Sequence, residues 1–347
     1  MIEIKRKNYI LLSMILLFLI FIAATFSVTV GSVDLKTTDI WKIVVNKIMR
    51  KEIFQQTWDE SLNIIVWTLR VPRIAVAILA GASLSFVGIL MQCLTKNPLA
   101  SPYILGISSG ASTGAVLAII FLNENFISSV PLFAFGMGVF TVFLVFFTSG
   151  FGDFSTTKLV LIGVAFSSFF SAMTTLIITI APNERKIRGA LFWMAGSLSG
   201  STLSSIVPIF LVLVICLVLV YPRHRELNIL VTGDENATVL GVNIKAIRTL
   251  IVLTSTLLIG YVVSHTGIIG FVGLIVPHIS RKLIGEDHKK LIPISTLMGA
   301  LFLLFTDTLT RGIFKTQEIP IGVITSLFGV PFFLSIIRKK SYKFGGN

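Results

Sequence analysis

Charge is sparse in this sequence. Charged residues make up 13% of its 347 residues, about half the share of a soluble domain, which excludes an ordinary water-facing globule. Cysteine is sparser still. Cys93 and Cys216 both lie in apolar runs, where small packing residues are expected rather than a disulfide or metal pair. His224, His265, His278 and His288 show no metal-ligand spacing, so no metal site is expected. The chain lacks a G-x-x-x-x-G-K-S/T run, which removes the phosphate-cradling nucleotide site. It also lacks a serine–histidine–acid arrangement and an intramembrane zinc motif, so an intramembrane enzyme would have no reactive group. Of the acidic residues, all but Asp307 fall in loops or at the ends of apolar stretches. Ion-coupled carriers usually keep such groups near mid-membrane. Asp307 precedes Arg311 by one helical turn, and an ion pair near the outer surface is expected there.

What the chain has in abundance is apolar length. Hydrophobic residues are 54% of it and the mean hydropathy is +0.92. A helix crosses a bilayer with about 20 apolar residues, and charges and turn residues divide this chain into about ten such stretches. They lie near 9–30, 71–93, 102–122, 131–150, 158–180, 204–221, 247–264, 268–284, 291–310 and 319–337. The expectation is an all-α, polytopic membrane protein with one transmembrane domain, 1–347, comprising a first span 9–30, an outer loop 31–66 and a core 67–340. The first stretch is too long for a signal-peptide core, and no A-x-A site follows it, so it reads as an uncleaved span. The 102–122 and 268–284 stretches are interrupted by glycine and are expected to be short or broken helices. In the outer loop, DIWKIVVNKI places Ile40, Trp41, Val44 and Ile48 near helical spacing, which suggests a short interfacial helix.

An even number of spans puts both termini on one side. Lys5, Arg6 and Lys7 at the start, with Arg338, Lys339, Lys340 and Lys343 at the end, make that side cytoplasmic. Arg185, Lys186 and Arg188 run against the rule. On this topology Arg70, Arg73 and Arg311 face outward. A guanidinium at mid-bilayer costs about 2.5–3.5 kcal/mol on insertion scales, so a position at a span end is the one expected. The net charge of +13 is scattered over many loops, which fits anionic lipid and not nucleic acid.

Small residues are periodic. Gly106, Gly110 and Gly114 in GISSGASTG recur every fourth residue and predict one smooth helix face open to close backbone approach. Gly81, Ser85 and Gly88 do the same, as do Gly196 and Gly200, and together they describe a tightly packed bundle. A second glycine-broken segment, GIIGFVGLIVPH at 267–278, follows GISSGASTG by five spans. That separation predicts an inverted relation between spans 2–5 and 7–10, a common transporter architecture. In the 221–248 loop, DENATVLGV is helical in propensity up to Gly241. It reads either as a mere connector or as a small helix that plugs into a soluble partner.

These residues carry a resemblance. RVPR at 70–73, GASLSFVGILMQCLTKNPLASPYILGISSGA at 81–111, WMAGSLSG at 193–200, VLGVN at 239–243, GFVGLIVPHISR at 270–281, DH at 287–288 and IPIGVITSLFGVPFF at 319–333 resemble the FecCD-type permeases of iron–siderophore, haem and vitamin B12 ABC importers. The match runs from about residue 65 to the end, and residues 34–66 share little of it. The resemblance implies a BtuC-like permease of ten helices, in the cell membrane with both termini cytoplasmic. It would pair with a second copy or a sister chain. Two cytoplasmic ATPases would use ATP-Mg below it, with no cofactor bound by this chain, and an extracellular substrate-binding lipoprotein would dock above. Arg70, Arg73 and Arg311 match the family's docking arginines, which meet carboxylates of the binding protein. Asn97 and Leu99 of NPLA match its cytoplasmic gate, and Leu240 and Gly241 its ATPase-coupling loop. Ferric siderophore is the expected substrate, with haem or cobalamin as alternatives. The alternative of a different class is an ion-coupled secondary carrier working alone, sensitive to Asp307→Asn.

Overall fold

The computed structural model describes residues 8–31, 33, 35–122, 129–150, 155–313 and 317–339. Lys5, Arg6, Lys7, Lys340 and Lys343, read above as sidedness signals, lie outside the described residues. Helices and turns account for the described chain, with no strand among its described residues.

The apolar stretches fold as helices where their length predicts. In chain order these are α1 (Asn8–Thr29), α4 (Val71–Thr95), α5 (Ile107–Phe121), α6 (Val130–Ser149), α7 (Thr156–Thr179), α9 (Leu203–Val220), α12 (Ile244–Thr266), α13 (Val272–Ile284), α14 (His288–Ile313) and α15 (Ile321–Lys339). Shorter helices stand between them: α2 (Thr37–Met49), α3 (Glu60–Asn63), α8 (Glu184–Met194), α10 (His224–Val231) and α11 (Asp234–Val239). Among the described residues, 7 helices are long and apolar enough to cross a membrane. The 15-residue α5 and 13-residue α13 fall short of the roughly 20 residues a crossing needs. They are the short helices that their glycines predicted.

Two local differences from expectation have simple causes. α4 does not begin at Val71 as a separate rod, because α3 and a π-helical turn, Ile64–Arg70, run into it and make Glu60–Thr95 continuous. Pro72 directly follows the π-helical turn, and that break in the regular i→i−4 ladder is where a residue without an N–H is accommodated inside a continuous helix. Between α1 and α4, α2 does form, but Ile40, Ile43 and Val44 are its buried face, while Ile48 is 63% exposed. An i, i+3, i+4 stripe packs inward there and the fourth apolar residue is left facing out.

α4 is the centre of the bundle. In its best apolar window 83% of residues are buried, against 17% for α1, so neighbouring helices surround the one while the other presents its flank outward. α14 runs antiparallel along α4: Arg73 lies by Asp307, Gly81 by Gly299, and Ser85 by Ser295. A Cβ at Gly81 would run into the Gly299 carbonyl, and one at Gly88 into the Gly273 carbonyl of α13. Without a hydrophobic drive between helices in lipid, such close backbone approach and the Ser85–Ser295 hydrogen bonds at 2.8 Å are what hold them together. Between Arg73 and Lys96 an α-helix rises about 35 Å, so the two residues mark opposite ends of the molecule.

Candidate functional site

Arg70, Arg73 and Arg311 lie at one end: Arg73 and Arg311 meet at Asp307, while Arg70 and Arg311 both reach the end of α1. Asp307 is fully buried; its two oxygens take Arg73 Nε at 2.8 Å and Arg311 Nε at 2.9 Å. The Arg311 pair is the one-turn pair expected, and Arg73 joins it from α4. Arg73 also donates to Glu318 Oε1 at 2.6 Å, a carboxylate whose side chain is 42% exposed. The other two arginines are tied to the end of α1. Arg70, 5% exposed, donates to the carbonyls of Val28 at 2.8 Å and Val33 at 2.7 Å. Arg311 donates to the carbonyls of Ser27 at 3.1 Å and Val30 at 2.6 Å. Ser27 and Val28 belong to the last turn of α1, where carbonyls carry partial negative charge, and Val30 and Val33 follow it in the turn beyond. Cationic side chains therefore fit here, and the hydrogen bonds offset their loss of water. Lys186 acts alike on α5, donating to the carbonyls of Ile120 and Leu122 at 2.8 and 2.9 Å, which gives this residue, awkward for the charge rule, a local partner.

At the opposite end, α4 stops at a lysine in the left-handed region. Lys96 has φ 51°; its N–H donates to Cys93 O, and the N–H of Asn97 to Gln92 O, both at 3.2 Å. This is a Schellman ending with lysine where glycine is usual, a conformation that costs about 1–2 kcal/mol for a residue with a Cβ. The Asn97 side chain then accepts the Leu99 N–H at 2.9 Å, which shapes the turn that follows. Lys96 Nζ reaches Asp234 Oδ1 at 2.8 Å, and Asp234 Oδ2 takes Arg248 Nη2 at 2.7 Å. Burial pushes the Asp234 carboxyl up, but Lys96 and Arg248 outweigh it and hold the group below the usual carboxylate value, ionised at neutral pH.

Asp234 opens α11, and this small helix ends in a full Schellman motif. Gly241 N–H bonds to Thr238 O at 3.0 Å and Val242 N–H to Ala237 O at 2.9 Å, with Gly241 at φ 76°. Gly241 is thus required by backbone geometry, whereas Val239 and Leu240 project at 86% and 64% exposure. Preceding it, α10 is fixed to the start of α14 by Asn228, which donates to Asp287 Oδ1 at 2.9 Å and accepts the His288 N–H at 2.9 Å. A cavity of about 330 Å³ lies between these parts and the end of α4, lined by Lys96, Pro98, Asn228 and Arg281 among others.

The glycine run divides between two jobs. Gly110 and Gly114 lie on α5, where a Cβ would meet α6 at Thr141 and Phe133. Gly106 stands before the helix, at φ 77°, where a Cβ would meet Ser167 and Gly163 of α7 first and Thr141 of α6 less closely. A break in the chain needs a left-handed residue, and glycine supplies it without a Cβ clash. The two glycine-broken entries meet. Tyr103 Oη donates to Ile269 O at 2.8 Å, joining the turn before α5 to the turn before α13. A groove of about 700 Å³ opens between the end of α8, the 268–270 turn and α15, lined by Met194, Ile268, Val323, Leu327 and Pro331 among others. Among the described residues no group of three His, Cys, Asp or Glu side chains is placed to hold a metal ion.

Asp234, Glu318, Asn228 and Tyr103 escaped the sequence reading as partners. An acid opening the DENATV helix was visible as a helix-start signal, but its two cations, 14 and 138 residues away, were not.

Comparison with known proteins agrees with this architecture. The profile of the FecCD transport family matches residues 16–339. The Fe(3+)-citrate import system permease protein YfmD of Bacillus subtilis is 38% identical over 339 residues, which is 96% of this chain and 97% of that protein. The cobalamin import system permease protein BtuC of Halobacterium salinarum is 37% identical over 286 residues, 82% of this chain and 76% of that protein. A solved structure described as an inward-facing conformation of a metal-chelate type ABC transporter superposes with a TM-score of 0.79 at 31% identity, over 96% of this chain and 100% of that one. The chain belongs to the FecCD transport family and is a multi-pass membrane permease subunit of an ABC importer.

Proposed function

We propose that this permease imports ferric siderophores, with ATP hydrolysed by two cytoplasmic ATPase subunits and substrate delivered by an extracellular binding lipoprotein. The arginine end faces outward and the α11 end faces the cytoplasm, as do both termini. The observation that carries the reading is α11: a one-turn helix held to the bundle through Asp234, presenting Val239 and Leu240 bare at the end opposite the arginines. Two unpaired apolar side chains on a polar surface suit a pocket on a soluble partner, since their burial contributes about 25 cal/mol per Å². The chain itself supplies no ATP site and binds no cofactor. The apolar groove beside α15 is one wall of the path, and a second permease subunit, a copy or a sister chain, supplies the other. Asn97 and Leu99 form the inner gate, and the glycine-packed helices with Gly106, Gly110 and Gly114 carry the tilting that opens it.

At the outer rim, carboxylates of the binding protein engage the arginines. Arg73 is the one an incoming carboxylate reaches, by replacing the half-exposed Glu318. Arg70 and Arg311 shape the rim from beneath by holding α1.

Assigning a ferric chelate rests on the full-length similarity to a permease of Fe(3+)-citrate import. Cobalamin is the second reading, since a cobalamin permease is nearly as similar. The experiment is uptake into liposomes holding the permease with its ATPase and binding subunits, offered radioactive ferric siderophores, ferric citrate, haem and cobalamin. ATP-dependent accumulation of the siderophore is expected. Accumulation of cobalamin or haem alone would replace the substrate, and uptake by the permease alone under an ion gradient would replace the mechanism. Against that last outcome stands Asp307, neutralised by two arginines at the rim instead of free along the path.

A further inference from the structure

Lys96 is an unlikely residue for its backbone. At φ 51° glycine would relieve the crowding that a Cβ creates, yet a lysine stands there and its ammonium meets Asp234 at 2.8 Å. The same carboxylate holds Arg248, near the start of α12, at 2.7 Å. One acidic side chain on α11 is therefore bonded to the last residue before the 97–106 turn and to the first turns of α12. Below the turn lies the cavity of about 330 Å³, with Pro98 and Lys96 in its wall, so the turn has room to move. α10 is also pinned, to α14 through Asn228 and to the last turn of α4 by Cys93 Sγ–H donating to Leu227 O at 3.5 Å, but none of these bonds involves α11, Lys96 or the gate residues.

We infer that Asp234 is a positioning residue that carries displacement of α11 to the Lys96 hinge, and through it to the turn bearing Asn97 and Leu99. This rests on the reading of the chain as an ATP-driven permease and assigns the joint within it. When α11 is pulled, the ion pair moves the end of α4 and the start of α12 together. Without the pair, α11 still seats on its partner and the ATPases still close, but the turn is no longer driven.

The test compares Asp234→Asn, Lys96→Gly and Lys96→Arg in the complete complex in liposomes, with substrate uptake and ATP hydrolysis measured in the same vesicles. Lys96→Gly is the informative one, because it removes the tether while suiting the backbone, so its melting temperature should not fall. Asp234→Asn and Lys96→Gly are expected to lower uptake per ATP by about tenfold with ATP hydrolysis retained, and Lys96→Arg to keep the ratio within about twofold. Unchanged uptake per ATP in Asp234→Asn and Lys96→Gly overturns the inference, as does an equal loss in Lys96→Arg. Failure of the permease reading looks different: the unsubstituted complex would then show no ATP-dependent uptake at all.

Discussion

An arginine at a membrane end has two ways to lower its cost, and this protein uses both. It can reach a carboxylate, as Arg73 and Arg311 do at Asp307, or it can take up carbonyls at and just past a helix end, as Arg70 and Arg311 do at α1. The two uses predict different mutants. Asp307→Ala leaves two cations without their buried partner and should cost about 3–5 kcal/mol, read as a lower melting temperature of the purified chain in detergent. A melting temperature equal to wild type would remove Asp307 from the structural role. Glu318→Gln removes only an exposed competitor for Arg73, a pair of the kind worth about 0.2–1 kcal/mol. It should therefore tighten association with the proposed binding protein about two- to fivefold and lower stability by no more than that same small amount, and an unchanged or weaker Kd would place docking elsewhere. Of these residues the arginines themselves were legible in RVPR and before the last span. That Arg70 is committed to α1 was not, because its partners are backbone atoms about forty residues upstream.

At the scale of elements, the bundle is organised by where backbones come closest. α4 touches α14 at Gly81 and α13 at Gly88, and each contact is carbonyl against glycine. Larger side chains there cannot be absorbed by a rotamer change, since the opposing atoms are main chain. Gly88→Leu should separate α4 from α13 by overpacking, at about 1–3 kcal/mol or more. Size-exclusion chromatography would show it as loss of monodisperse protein, and a normal profile would show that the helices part easily. The periodicity of small residues foretold close packing, but not which helix each face meets. Gly106 illustrates the limit: a four-residue spacing looks helical, and only the turn before α5 reveals that the first of the three glycines serves a break in the chain.

For the whole molecule, the ion pairs sort to the two ends and leave the length of α4 between them uncharged. Arg73 through Asp307 and Glu318 mark one end, and Lys96, Asp234 and Arg248 the other. Cys93 and Cys216 are both buried, so a membrane-impermeant maleimide should leave the natural chain unlabelled. Glu318→Cys should then label only from outside intact cells, and Leu240→Cys only after the cytoplasm is opened. Labelling of both from the same side would invalidate the topology on which the proposed import direction depends.

Sequence alone determined the class of this protein: helical, membrane-embedded, closely packed and of the permease family. Those properties follow from local quantities, the length of apolar runs, the spacing of glycines and the order of short motifs, and need no knowledge of which helix neighbours which. Tertiary structure decided the pairings. Arg73 finds Asp307 across 234 residues, Tyr103 finds Ile269 across 166, and Lys96 finds Asp234 across 138. A charge meets its partner there only after two helices have settled into a particular register and crossing. That register is fixed by backbone contacts at a few small residues, and no single segment contains it.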